Sequence, residues 1–167
     1  MALGLVAQGA RVLGTSARAA DELAATAADA NRTAQHGGRF EPLLADVSVV
    51  ADCERTVAHA IARFGRIDAL INNAARGPIE ADPNYFLAKP KFWEADPNAY
   101  RTMVETNLIG AFLMARAATP PMVAQGFGRI VNISTSLPTM VMQGLAPYGA
   151  LKAALETSSV VWARDLE

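Results

Sequence analysis

The chain has 167 residues, the length of one domain or slightly more. Apolar residues make up 51% and charged residues 19%, which excludes global disorder and supplies material for a core. Fifteen Lys and Arg stand against sixteen Asp and Glu, and the resulting net charge of -1 gives no electrostatic case for nucleic acid or an anionic membrane as partner.

The opening segment from Met1 to Ala10 carries no basic leader, so no secretory signal is expected. No run reaches the roughly 18 apolar residues of a membrane span. A cytoplasmic protein is the expectation. Cys53 is the single cysteine, so no intrachain disulfide forms. His36 and His59 are the two histidines, and no metal site is expected.

In chain order, residues 1–9 read as the tail of a helix closed by Gly9. Arg11 to Thr15 is a short apolar run, a candidate strand. The Ala-rich stretch from Ala17 to about Gln35 predicts a helix, stopped by Gly37-Gly38. Phe40 to Val47 reads as a second strand. Ser48 is placed to cap the next helix, whose Cys53, Val57, Ala60, Ile61 and Phe64 share one face and which Gly65 ends.

Ile67 to Asn72 reads as a third strand, buried on both faces. A polar, Pro-containing loop covers roughly 74–97; Tyr85, Phe86, Phe92 and Trp93 lie within it and are expected to pack it onto the domain. A helix follows from about Pro97 to Ala118, interrupted by Pro120-Pro121. Arg129 to Ser134 is the fourth strand, and the last helix spans about 148–165. Strands alternating with helices of this length indicate βαβ units. The fold expected is α/β, a doubly wound parallel sheet of Rossmann type with three αβα layers, incomplete, and forming one partial domain over 1–167.

Ligands of open α/β sheets bind at the carboxyl ends of the strands. Tyr148-Gly-Ala-Leu-Lys152 is the sharpest feature near such an end. The two side chains lie one helical turn apart on one face. A neighbouring ammonium favours phenolate, which makes a tyrosine usable as a proton donor or acceptor near neutral pH. The alternative is a surface Tyr and Lys that happen to be a turn apart.

Other strand ends carry compatible groups. In Asn72-Asn73-Ala74-Ala75, small residues let a flat ligand approach the backbone; an Asn-rich turn is the alternative. Asp46 of Asp46-Val47 suits an adenine amino group or a helix N-cap. Asn107 lies beside the apolar stripe of its helix and needs a partner or a role.

Together these residues resemble the short-chain dehydrogenase/reductase family. Asn72-Asn73-Ala74-Ala75 is similar to the family's Asn-Asn-Ala-Gly, with Ala75 in place of Gly. Asn107 matches its helix asparagine, Tyr148 and Lys152 its Tyr-x-x-x-Lys, and Asp46-Val47 its adenine-side pair. The resemblance implies an oxidoreductase acting on a small carbonyl or alcohol substrate with a nicotinamide dinucleotide. It implies Tyr148 as acid/base and Lys152 as its tuning charge and ribose ligand. It implies Asn107 as support for Lys152 through a water relay. The family's catalytic hydroxyl falls on Thr135, and Ser136 is the neighbouring candidate.

The resemblance further places Asp46, Val47, Asn73 and Ala74 against the cofactor. Ser16 occupies the position where NAD-preferring relatives carry an acid, with Arg18 two residues on. A small hydroxyl plus a cation suits a 2′-phosphate, which favours NADP over NAD. Homo-oligomerisation is expected through the helices at 99–118 and 148–165.

No Gly-x-x-x-Gly-x-Gly occurs in the sequence, so the turn that cradles a pyrophosphate in the family is not matched. The family's first strand would stand in the sheet between 11–15 and 67–72. Without it the isolated chain is expected to be poorly stable and to bind dinucleotide weakly or not at all. A catalytically silent remnant acting as an interaction protein is the rival expectation.

Overall fold

The computed structural model describes residues 1–80 and 85–167. Helix α1 (Ala2–Ala7) leads into strand β1 (Arg11–Ser16), helix α2 (Ala20–Arg32) and strand β2 (Arg39–Leu44). Helix α3 (Val50–Phe64) connects to strand β3 (Ala69–Asn72). The expected loop holds two 3-10 turns, Pro78–Glu80 and Phe92–Glu94, and the short helix α4 (Tyr85–Ala88). Residues 81–84 of that loop lie outside the described residues, as does the side chain of Phe86.

Helix α5 (Pro97–Val104) passes through a π-turn at Glu105–Ile109 into α6 (Gly110–Ala124). Strand β4 (Arg129–Asn132), the short helix α7 (Leu137–Met140) and the long helix α8 (Ala146–Asp165) complete the chain.

β1 pairs with β2 in parallel, from Arg11↔Arg39 to Ser16↔Leu44. β3 pairs with β4 in parallel, from Ala69↔Arg129 to Asn72↔Asn132. Among the described residues the two pairs are separate two-stranded sheets, so β1 and β3 each have one strand neighbour.

Strand alternation sorts the side chains to two layers. Phe40 points to one face and packs with Val6 of α1 and with Ala27 and Ala30 of α2. Its ring lies across Gly14, where an added Cβ would come within 2.1 Å of it. Glu41, the next residue, points to the other face and takes two hydrogen bonds from Arg63 of α3, at 2.8 and 2.9 Å. Helices therefore cover both faces of this pair, as a doubly wound sheet requires.

A second core joins α3 and α6. Cys53, Val57, Met114, Ala118 and Met122 pack together, with Leu70 of β3 and Ile130 of β4 beneath them. On the opposite face of β3–β4, Val131 is 44% exposed.

Several element boundaries differ from the sequence expectation. β2 and β4 stop at Leu44 and Asn132, with one further ladder bond beyond each, from the Ala45 N–H to the Ser16 carbonyl and from the Ile133 N–H to the Asn72 carbonyl. Pro120 and Pro121 do not interrupt α6, which continues to Ala124. Each proline sacrifices a helical hydrogen bond. Burial of Ala118 and Met122 on either side holds the helix together across them. Ser48 does not cap α3; its N–H and O–H both go to Asp46, and the N-cap residue is Val49.

Candidate functional site

The strand ends converge on a polar strip. At the end of β1, Ser16 Oγ accepts the Ala19 N–H at 3.1 Å, and Arg18 is exposed beside it. After β2, one oxygen of Asp46 accepts the Ser48 N–H at 2.9 Å and the Ser48 hydroxyl at 2.7 Å. Those two hydrogen bonds hold the Asp46 carboxyl below its ordinary range, with a further push from the charge of Arg76. The backbone of Asp46 is fixed as well, since its N–H donates to Asp52 Oδ2 at 2.8 Å. Val47 lies against Gly110, where a Cβ would approach its side chain to 2.7 Å.

After β3, Asn72 is buried and spans the sheet. Its amide donates to Asn132 Oδ1 at 2.8 Å and to the Ala111 carbonyl at 3.2 Å. Asn132 in turn donates to Ser159 Oγ of α8 at 2.7 Å. Asn73 and Ala74 follow, both exposed. Asn72 thus anchors the strand end and leaves Asn73 and Ala74 as the accessible part of the motif.

Asn107 sits in the π-turn and is 2% exposed. Its Oδ1 accepts the Arg76 N–H at 2.7 Å, and its Nδ2 donates to the Arg76 carbonyl at 2.9 Å. Arg76 Nε also donates to Thr106 Oγ1 at 3.2 Å. A π-turn inserts an extra residue into the helix, and such turns concentrate at functional sites. Here it turns an asparagine inward to grip the loop after β3. Asn107 has no direct hydrogen bond to Lys152 in the structure; both of its amide atoms go to Arg76.

After β4, the Lys152 ammonium donates to the Ile133 carbonyl at 2.6 Å. Lys152 is 3% exposed, and burial pushes its pKa below the usual lysine range. Its Nζ lies 5.6 Å from the centroid of the Tyr148 ring, within cation–π range. Tyr148 is itself half-buried. The one-turn spacing on α8 thus places the cation beside the Tyr148 ring.

The two candidate hydroxyls differ. Ser136 is exposed and hydrogen-bonded to Thr139 at 2.9 Å. Thr135 is half-buried and directly follows Ser134, which donates to Glu156 of α8 at 2.6 Å. Sequence reasoning did not assign roles to Arg76, Thr106 or Glu156. Each contributes an ordinary polar side chain whose partner is distant in sequence.

The donor and acceptor set suits two parts of a dinucleotide. A carboxylate at the end of β2 can accept from an exocyclic amine, and a buried ammonium beside a phenol can hold ribose hydroxyls next to a reacting carbonyl. No cluster of three metal-ligating side chains occurs among the described residues.

Parallel strands layered between helices, with polar groups gathered at their carboxyl ends, define a Rossmann-type α/β protein. The chain belongs to the short chain dehydrogenase family, whose pattern matches residues 1–167. It is 30% identical over 167 residues to the 3-oxoacyl-[acyl-carrier-protein] reductase of Synechocystis, covering 99% of this chain and 62% of that one. It is 30% identical over 155 residues to sorbitol-6-phosphate 2-dehydrogenase of Klebsiella pneumoniae, covering 87% and 57%. Its fold superimposes on a serine dehydrogenase solved with NADP+ with a TM-score of 0.81 at 26% identity, covering 99% of this chain and 61% of that one. The chain therefore spans about three-fifths of the length of these relatives.

Proposed function

We propose that the chain carries the chemistry of a nicotinamide-dependent oxidoreductase that interconverts a small carbonyl compound and its alcohol. The observation that carries this reading is the buried Lys152 ammonium, held by the Ile133 carbonyl beside the Tyr148 ring. The dinucleotide, when bound, supplies or accepts the hydride. Tyr148 gives a proton to the carbonyl oxygen, or takes it from the alcohol. Thr135 orients that oxygen, and the bond from Ser136 to Thr139 supports Thr135 over Ser136 for this role. Lys152 holds the nicotinamide ribose and keeps positive charge near the phenol. Asn107 is a positioning residue, acting through the loop it grips.

At the other end of the cofactor, Asp46 accepts the adenine amino group, with Val47, Asn73 and Ala74 lining the approach. Ser16 and Arg18 favour NADP over NAD, and the NADP+ complex of the structurally similar serine dehydrogenase is compatible with that choice. Residues 1–167 act as one Rossmann-type unit. A cytoplasmic location is part of this reading, and no helix is long and apolar enough to cross a membrane among the described residues.

The test is oxidation of NADPH and NADH by the chain with a panel of ketones and aldehydes at millimolar cofactor. Turnover that disappears in Tyr148→Phe supports the reading. Turnover in Tyr148→Phe equal to that of wild type overturns it.

A second reading draws on the outer faces of the helices. Phe112 of α6 packs at 6.5 Å from Trp162 of α8, and Phe112, Val160 and Val161 remain substantially exposed. These helices form a homo-oligomer contact, whether the chain is an active enzyme or a silent interaction protein. Sedimentation analysis combined with the turnover assay separates the two: an oligomer without cofactor binding is the silent form.

A further inference from the structure

Helix α8 grips the end of β4 at three successive residues. Ser159 Oγ accepts the Asn132 amide at 2.7 Å, Lys152 donates to the Ile133 carbonyl at 2.6 Å, and Glu156 Oε1 accepts the Ser134 hydroxyl at 2.6 Å. The gripping residues are spaced by four and three, so they share one stripe of α8 with Tyr148, a turn before Lys152. Asn132 and Ile133 are also held by the sheet, since the Ile133 N–H donates to the Asn72 carbonyl. Ser134 lies past that ladder bond, and Thr135 follows it. On the far side of Thr135, Ser136 is bonded to Thr139 at 2.9 Å. Both flanking hydroxyls are therefore engaged, while among the described residues the Thr135 hydroxyl makes no hydrogen bond.

We propose that Glu156 is a positioning residue, which by holding Ser134 sets the Thr135 hydroxyl in register with Tyr148. This rests on the reading of Tyr148 and Thr135 given above. A hydroxyl donating to a carboxylate at this distance makes a short, charge-assisted bond. Fixing the Ser134 side chain restricts where the next residue stands. The register is transmitted by α8 itself, because Tyr148 and Glu156 lie eight residues apart on one helix, about 12 Å along its axis. Glu156 is exposed, so the loss of its side chain costs the fold little and its effect falls on the loop.

The experiment measures threonine-methyl order by NMR relaxation in the 167-residue chain, alongside NADPH turnover with the ketone panel. The variants are Glu156→Ala, Glu156→Gln, Ser134→Ala and the double Ser134→Ala/Glu156→Ala. In either alanine variant the Thr135 methyl should lose order and kcat should fall about tenfold, with the cofactor KM and the melting temperature nearly unchanged. The double variant should be no worse than either single one, because both break the same bond. Glu156→Gln keeps an acceptor and should restore Thr135 order, and kcat to within about threefold of wild type. The methyl measurement needs no turnover, and Ser134→Ala decides the matter if Glu156→Ala does not fold. Thr135 order in the alanine variants equal to that of wild type overturns the inference. So does a double variant whose loss is the product of the two single losses, since the residues then act separately. Turnover in Tyr148→Phe equal to that of wild type is a different failure: it removes the oxidoreductase reading beneath, and the methyl comparison still decides whether Glu156 holds Thr135.

Discussion

The ammonium of Lys152 and the carbonyl oxygen of Ile133 lie 2.6 Å apart, which ties the middle of α8 to the end of β4. This contact aligns the candidate proton donor with the loop that carries Thr135. It also buries a charge, and the cost of that burial appears as the lowered pKa of Lys152.

Replacing either member of the Tyr–Lys pair should separate activity from folding. Tyr148→Phe removes one hydroxyl and should cut turnover by about two to four orders of magnitude, leaving the melting temperature nearly unchanged. Lys152→Met should reduce turnover comparably. Its pH dependence of stability is diagnostic. The folded pKa of Lys152 lies below its ordinary 10.5, so the unfolded chain holds the proton more tightly. The burial cost is fully present below the folded value and is relieved as pH rises through that value toward 10.5. Denaturant titrations from pH 7 to 10.5 should show that Lys152→Met loses this alkaline gain. Identical pH profiles for the two proteins would contradict the buried charge.

Asn107 is expected to matter for stability as well as for any activity. Asn107→Ala strips both hydrogen bonds from the backbone of Arg76 and leaves part-buried groups without those partners, at a cost of about 1–3 kcal/mol. Asn107→Asp keeps the acceptor and loses the donor, so it should preserve the bond from the Arg76 N–H and disturb the one to its carbonyl. Urea denaturation of the three proteins checks the order wild type, then Asp, then Ala.

Cys53 should behave as a core residue. It is 1% exposed, its Sγ donates to the Val47 carbonyl at 3.2 Å, and burial pushes its thiol up to about 11. The thiolate is the reactive form, so the native protein should resist iodoacetamide at pH 7.5 and become labelled only on unfolding. Mass spectrometry after timed exposure measures this directly. Labelling at the rate of a free thiol would mean that the α3–α6 core opens readily.

Acid should weaken the fold through a small set of carboxylates. Asp46 and Asp52 lie below their ordinary 3.8, and Glu41 lies below its ordinary 4.5. The causes are the Ser48 hydrogen bonds, the Asp46 N–H and the Arg63 fork, respectively. A depressed folded pKa contributes stability that is complete above the unfolded value and is lost as pH falls through the folded one. The urea midpoint should therefore hold from pH 7 to 5 and decline below about 4. Asp46→Asn should flatten part of that decline.

The alternating pattern was legible in the residues themselves. Ala-rich α2, the apolar runs of β1 to β4 and the glycine after α3 announce their elements locally, because period and helix termination depend on nearest neighbours. Gly65 does adopt the left-handed φ of 81° that ends α3. The spacing of Tyr148 and Lys152 needs only a helix to bring them to one face.

Contacts between segments distant in sequence were decided by the tertiary structure. Nothing local marks Asn107 as the π-turn residue that grips Arg76, thirty-one positions away, nor shows that Thr106 accepts from the same arginine side chain. The continuity of α6 through Pro120 and Pro121 likewise depends on burial against α3 and the sheet, which outweighs the local preference of proline. Residue types and their periodicity determined the elements and the Tyr–Lys pair. Packing determined which loops those elements hold in place, since hydrogen bonds and buried charges acquire their energies only when the partners have been brought together and water has been removed.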